Sequence, residues 1–251
     1  MQTAISVIIP TLNEEDYLPL LLTDLSKQTN KNFEVIVVDA QSEDTTKQKA
    51  SKFKGKLNLR FFEMPRDGVS FQRNFGATKA KADFLFFLDA DSRIKSDVIE
   101  KILDHIKKEK KLLYLPVVQS SNPGFVYTGL VLFAVYSVRF LQLFGKPLSL
   151  GPNIVINKNL FEKIGRFDTS IAIAEDHNLV IKAYKKGVKA AILPDIKCVF
   201  SMRRLEREGV ISVLWRYLHF TFITLIKGGV KRTTHEYKMG GHHYKKSPVA
   251  E

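Results

Sequence analysis

Four short runs rich in β-branched and aromatic residues, ISVIIP (5–10), FEVIVVDA (33–40), LNLRFFEM (57–64) and FLFFLD (84–89), are separated by polar or amphipathic stretches. This alternation constrains the chain more than any other feature. Between the first two runs Leu18, Leu21, Leu22 and Leu25 recur at helical spacing, and Asn13 is placed to cap that helix ahead of Glu14 and Glu15. Further helices are expected over Ser42–Phe53, over SFQRNFGATKAKA (70–82) and over 95–110. Strand–helix–strand repeats of this length join by right-handed crossovers into a mostly parallel sheet with helices on its faces. A run without polar alternation, such as FLFFL, fits a strand buried on both faces. The expected class is therefore α/β, Rossmann-like, with a mostly parallel central sheet.

The pattern continues with a strand at LLYLPVV (112–118), an apolar helix over 125–144, and a short strand and helix within GPNIVINKNLFEKIGRFD (151–168). A helix over 174–187 ends at Gly187, which suits a left-handed terminator, and VKAAILPD (188–195) is a late strand. No internal repeat and no linker divides the chain, and 251 residues suffice for one large domain.

In parallel sheets ligands bind beyond the carboxyl ends of the strands. Polar residues gather at those ends here: Thr11-Leu12-Asn13-Glu14, Asp39-Ala40-Gln41-Ser42 and Asp89-Ala90-Asp91. In extended chain Asp89 and Asp91 would lie on one side, about 6.5 Å apart at Cα. Carboxylates that close repel unless a cation joins them, and they suit Mg²⁺ or Mn²⁺ when a phosphate supplies further oxygens. The alternative is that one aspartate caps the next helix and the other is solvated. Glu175 and Asp176 pose a similar choice between catalytic acids and acids that favour a helix N-terminus. His177 is either a metal ligand or an exposed helix residue, and His235, His242 and His243 lack ligand spacing.

The net charge of +13 is concentrated toward the end, with eleven Lys and Arg against four Glu from Lys197 onward. Such a basic segment favours nucleic acid, anionic lipid headgroups or phosphorylated substrates. Residues 125–144 are long enough to span a bilayer but carry Arg139, and residues 210–226 include Arg216 and His219. A central Arg costs at least about 2.5–3.5 kcal/mol to insert, so both segments fit helices lying on a bilayer or packed in a core. A lone Cys198 excludes an internal disulfide, and no signal peptide is read at the start. The expectation is a cytoplasmic protein, peripheral on the inner face of the membrane.

Three segments, SVIIPTLNEEDYLPLLLTDLSKQTNKNFEVIVVDAQSEDTT, RNFGATKAKADFLFFLDADSRI and GPNIVINKNLFEKIGRFDTSIAIAEDHNLVIKAYKKG, in that order, resemble the family 2 glycosyltransferases with a GT-A fold over about residues 4–215. The resemblance implies an inverting sugar transfer from a nucleoside-diphosphate sugar with Mg²⁺ or Mn²⁺. It implies that Pro10, Thr11, Asn13 and Glu14 line the nucleotide pocket, that Asp39 receives the base N–H, and that Arg73 sits near base or phosphates. By the same resemblance Asp89 faces the ribose or donor sugar and Asp91 binds the metal, with Asp176 beside Glu175 as the catalytic base. Arg203 and Arg204 match an arginine motif that closes over the donor or grips an acceptor phosphate. Where many members carry a Gly-Gly-Phe, this chain has Gly165-Arg166-Phe167. The implied division is one domain over 1–230, with a nucleotide-binding half (1–118), an acceptor half (119–208) and a membrane-facing helix (209–230), then a basic tail over 231–251.

An amphiphilic or lipid-linked acceptor and an anionic membrane surface are the expected partners, with no nucleic acid. Two rival classes stand beside this reading. A GT-A-like nucleotidyltransferase would carry a glycine-rich basic loop after the first strand, where TLNEED is acidic. A non-catalytic basic module that binds lipid or nucleic acid would explain the charge but not the acids at three strand ends.

Overall fold

The computed structural model describes residues 3–65, 68–121 and 124–201, and beyond them Gly209, Trp215, His219, Ile223 and Val230–Lys231. Its strands are β1 (Ile5–Thr11), β2 (Phe33–Asp39), β3 (Leu59–Glu63), β4 (Phe84–Phe87), β5 (Arg93–Ile94), β6 (Leu113–Ser120), β7 (Ile154–Asn157), β8 (Ile171–Ile173), β9 (Ala191–Phe200) and β10 (Val230–Lys231). Its helices are α1 (Leu18–Ser26), α2 (Thr46–Ser51), α3 (Val69–Lys79), α4 (Val98–Glu109), α5 (Phe125–Leu143), α6 (Lys158–Lys163) and α7 (Glu175–Lys185).

Eight strands form one sheet in the order β3-β2-β1-β4-β7-β6-β9-β5. β1 to β4 are parallel, β7 runs antiparallel between β4 and β6, and β6 pairs parallel with β9. The expected mostly parallel sheet is present. β1 and β2 are buried along their full length because helices cover both faces. On one face Leu18, Leu21, Leu22 and Leu25 of α1 and Val98, Ile99 and Ile102 of α4 pack on Val7, Ile9, Val35 and Val37. On the other, Ala77 of α3, Val135 and Val138 of α5 and Leu179, Val180 and Ala183 of α7 pack with Ile8, Ile36, Leu85 and Ile156. Fully burying each large apolar side chain contributes about 1.5–3 kcal/mol, which makes this two-sided core the main stabilising term.

One contact sets the height of α3 over the sheet. A Cβ built on Gly76 would stand 2.5 Å from Ile8 Cγ2, so only glycine lets the helix approach β1 this closely. The approach brings Gln72, Arg73 and Asn74, one turn earlier, over the strand ends.

Four local expectations are corrected. Asn13 does not cap a helix: it takes a left-handed φ of 54°, and α1 starts later, with Tyr17 as N-cap and Pro19 in the first turn. The helix expected over Ser42–Phe53 is confined to Thr46–Ser51, because Ser42 and Glu43 are drawn into bonds with Asp39 and Asn13. Asp89 and Asp91 are not in extended chain, since the Ser92 N–H donates to the Asp89 carbonyl at 3.0 Å and closes a turn around the pair. Ile171–Ile173, outside every strand and helix expected above, is a strand that pairs antiparallel with Val230–Lys231. Of the expected membrane-facing helix (209–230) and tail (231–251), Trp215, His219 and Ile223 are helical and Val230 and Lys231 form β10; apart from Gly209 the rest lies outside the described residues.

Candidate active site

Two polar networks occupy the carboxyl ends of β1, β2 and β4. The first is built around Asp39, the last residue of β2, which is buried. Its Oδ1 accepts from Thr11 Oγ1 at 2.8 Å and from Ser42 Oγ at 2.5 Å, and its Oδ2 accepts from the Ser42 N–H at 2.8 Å. A carboxylate has about four acceptor positions, so these three bonds leave one for a ligand donor. Ser42 Oγ also accepts the Asn13 N–H, Asn13 Oδ1 accepts the Glu43 N–H, and Thr46 Oγ1 accepts the Glu14 N–H. Asn13 and Glu14 are buried in this network, and Pro10 is buried in β1 opposite Val38. The loops after β1 and β2 thus hold each other in place.

The second network is built on three consecutive residues of α3. Gln72 Nε2 donates to the carbonyls of Thr11 at 2.8 Å and Val38 at 2.7 Å, tying the helix to both strand ends. Arg73 Nη2 donates to Asp89 Oδ1 and Arg73 Nη1 to Glu175 Oε1, both at 2.7 Å. Asn74 donates to the Phe167 carbonyl at 2.9 Å and accepts the Phe167 N–H at 3.0 Å. The Phe167 ring lies 5.3 Å from the Arg73 guanidinium carbon, a cation–π contact. Gln72 therefore grips the ends of β1 and β2, Arg73 bridges to α7, and Asn74 fixes the loop before β8.

Burial works against the Arg73 charge, but Asp89 and Glu175 more than reverse this and hold the guanidinium above its usual value. Burial raises the Glu175 carboxyl and nearby Asp176 raises it further, against the pull of Arg73. Asp176, half-buried in the first turn of α7, has its Oδ2 3.8 Å from His177 Nδ1. His177 is not the exposed helix residue expected, because its Nδ1 accepts the Ser149 N–H at 3.1 Å and anchors the segment before β7 to α7. Ala174, just before α7, takes a left-handed φ of 69° that turns the chain from β8 into the helix.

The structure thus brings together Thr11, Asn13, Glu14 and Asp39 in one network and Arg73, Asp89 and Glu175 in another. Asp91 is half-buried in the turn after Asp89, and Arg203 and Arg204 lie outside the described residues. Thr46, Gln72, Asn74 and Ser149 were not singled out from the sequence, and Ser42 and Phe167 were named there without a role. Buried Asn153 was also missed: it stands level with Leu88 in the β4–β7 register, and neither of its amide atoms is hydrogen-bonded among the described residues. Among the described residues no group of three or more His, Cys, Asp or Glu could hold a metal ion by itself.

The model of the family described as "Glycosyl transferase family 2" matches residues 6–168. An uncharacterized glycosyltransferase of Haemophilus influenzae is 30% identical over 181 residues, covering 71% of this chain and 61% of that protein. The poly(ribitol-phosphate) β-N-acetylglucosaminyltransferase TarS of Staphylococcus aureus is 28% identical over 212 residues, 82% of this chain and 37% of TarS. The crystal structure of residues 1–349 of TarS in complex with UDP-GlcNAc superimposes with a TM-score of 0.68 at 26% identity, covering 79% of this chain and 58% of that one. The chain spans less than two thirds of the length of each of these relatives.

Proposed function

The chain belongs to glycosyl transferase family 2, and on that premise we propose that it transfers a sugar from a nucleoside-diphosphate sugar to a hydroxyl or phosphate of a lipid-linked acceptor, by single displacement with inversion. The sheet with helices on both faces is the GT-A arrangement, as the likeness to TarS bears out. The observation that carries the reading is Arg73, which holds Asp89, at the end of β4, and Glu175, at the start of α7, on one guanidinium. Acids that the sequence separates by 86 positions, Asp89 and Glu175, thereby share one cation.

In this reading the loops after β1 and β2 take the nucleotide. The one acceptor position left on Asp39 receives the base N–H, within the wall formed by Pro10, Thr11, Asn13 and Glu14. TarS binds UDP-GlcNAc in its crystal structure, so UDP-sugars are the first donors to test. Asp91, with Asp89, would hold Mg²⁺ or Mn²⁺. The described donor set fits an ion bound by one or two carboxylates together with substrate phosphate oxygens, and not one caged by protein alone. When bound, that ion would neutralise charge on the departing diphosphate.

Arg73 keeps one Asp89 oxygen engaged, which fixes the direction of the other. Asp176 stands on the acceptor side and would take the proton of the attacking hydroxyl. Glu175, already held by Arg73, positions the first turn of α7 instead of moving a proton. The basic character of the chain suits an acceptor carried at an anionic membrane surface, and Arg203 and Arg204 would serve an acceptor or donor phosphate.

The test is a panel of nucleotide sugars offered to the purified protein with and without Mn²⁺, and NMR of the product's anomeric configuration. Retention of configuration would end the single-displacement reading. Pyrophosphate released from a nucleoside triphosphate and a sugar phosphate would mark the rival nucleotidyltransferase. Vesicle or nucleic-acid binding without any nucleotide binding would mark the non-catalytic module.

A further inference from the structure

One face of α5 is covered and the other is not. Val135 and Val138 are buried in the core on the α7 side of the sheet. Phe133, Tyr136, Phe140 and Phe144, spaced by three or four residues along the opposite face, are 65%, 63%, 61% and 68% exposed. At ordinary side-chain sizes this row leaves roughly 500 Å² of contiguous apolar surface, toward the upper end of a monomer's largest patch, which is often a site of interaction. Phe140 and Phe144 already stack on each other, with ring centroids 4.9 Å apart.

The charge around this row is of one sign. No Asp or Glu occurs from Lys110 to Phe161 or from His177 to Pro194. These segments meet at the end of α5: Gln142 Nε2 donates to the Ala190 carbonyl, and Gly145 lies against the Tyr184 hydroxyl. Arg139, Lys146, Lys185, Lys186 and Lys189, in the same two segments, are all exposed. A stable dimer buries about 800 Å² on each partner, more than the aromatic row offers. No described helix is long and apolar enough to cross a membrane. Aromatics in a row with flanking Lys and Arg suit a helix lying in the plane of the headgroups, where each nearby cation adds roughly fivefold to binding.

We infer that the exposed face of α5 is the surface on which this protein lies on an anionic bilayer, and that it thereby presents the acceptor to Asp176. This deepens, and rests on, the reading of a lipid-linked acceptor. The path to the site is short. Residues 145–149 run along α7, from Tyr184 near its end to His177 at its start, where the Ser149 N–H meets the imidazole. α7 is about 16 Å long, so a headgroup held beside Phe144 stands within one short helix of Asp176.

The experiment is co-sedimentation of the full chain with phosphatidylglycerol/phosphatidylcholine vesicles and with phosphatidylcholine alone, beside calorimetric UDP binding. Wild type should bind the anionic vesicles, more weakly as salt rises. Phe133→Gln with Phe140→Gln should lose at least roughly tenfold in partition while keeping UDP affinity and circular dichroism. Because that pair of changes could unfold α5, a second variant places Phe140→Trp in a Trp215→Phe background. Its fluorescence should shift blue and be quenched by brominated lipid. An unquenched Trp at 140, undiminished vesicle binding by the Gln variant, or no vesicle binding by wild type would overturn the inference. So would a wild-type dimer that the Gln variant converts to monomer. Loss of UDP binding in wild type would instead count against the donor-site reading and leave the vesicle result to stand separately.

Discussion

Arg73 and Glu175 are 102 positions apart in the chain, yet the guanidinium donates to the carboxylate at 2.7 Å, with Asp89 on its other nitrogen at the same distance. The guanidinium is buried, Glu175 is mostly buried, and Asp89 is more than a third exposed. Solvent therefore screens the Asp89 contact, and most of the stabilisation comes from Glu175. Removing one partner of a buried ion pair strands the other and costs about 3–5 kcal/mol. Arg73→Met should lower stability by about 3 kcal/mol in urea titration, and adding Glu175→Gln should recover at least about 1 kcal/mol. Strict additivity of the two changes would show that the pair is not coupled.

The acid pair after β4 gives a prediction that separates its two members. Asp91→Asn should abolish the effect of Mn²⁺ on UDP affinity, measured by calorimetry. Asp89→Asn should also weaken the Mn²⁺ effect, but it breaks the bond to Arg73 and should cost about 1 kcal/mol of stability as well. Mn²⁺ alone, without nucleotide, should bind weakly, because the described carboxylates need phosphate oxygens to complete the shell. Wild-type Mn²⁺ dependence in Asp91→Asn would move the metal elsewhere.

For Asp176 the expected split is between turnover and binding. Asp176→Asn should lower kcat by a factor of about 10²–10⁴, the scale for loss of a general base. The dissociation constant for the donor should barely change if Asp176 faces the acceptor, as proposed. His177→Asn provides the contrast: it frees the Ser149 N–H and should raise the acceptor KM more than it lowers kcat. If Asp176→Asn weakened donor binding and spared kcat, the residue would belong to the donor site.

The parts of this site that the sequence reveals are those encoded locally. β4 reads as an unbroken apolar run, and β1 and β2 as apolar runs interrupted by Ser6 and Glu34 alone before their polar ends, because these strands are buried on both faces. Positions whose conformation is decided by distant partners read wrongly. Asn13 looks like a cap, but its amide and backbone bond to Ser42 and Glu43, some thirty positions on, and these bonds hold it at a positive φ. The same bonds remove the first residues of the expected second helix. Ile171–Ile173 has no local turn or alternation that announces a strand, and its pairing partner is Val230–Lys231. Gln72 and Asn74 read as ordinary helix residues, and only the family resemblance marks Arg73. Their separate tasks follow from the close seating of α3 on Ile8, and the one sequence signal for that is Gly76.

Away from the site, His105 makes stability depend on pH. It joins α4 to β9, with Nδ1 2.7 Å from Glu109 Oε1 and Nε2 3.1 Å from Asp195 Oδ1. Burial opposes the imidazolium, but bonds to Glu109 and Asp195 outweigh it and hold the histidine above its ordinary value. Lys101, on the same helix, is bonded to Asp97 and also lies in the field of Asp195, and it stays charged throughout this range. The folded chain therefore binds the His105 proton more tightly than the unfolded chain does. The resulting stabilisation is fully present below the unfolded value of about 6.5 and is lost as pH rises through the folded value. Wild type should lose urea stability relative to His105→Asn as pH rises from about 6 through the raised folded value, with the difference levelling off above it. The comparison with the variant matters, because other groups titrate in the same range and cancel in the difference. A difference that grows with rising pH would have the wrong sign for a protonated bridge, and one that stays constant would mean that His105 contributes by packing alone.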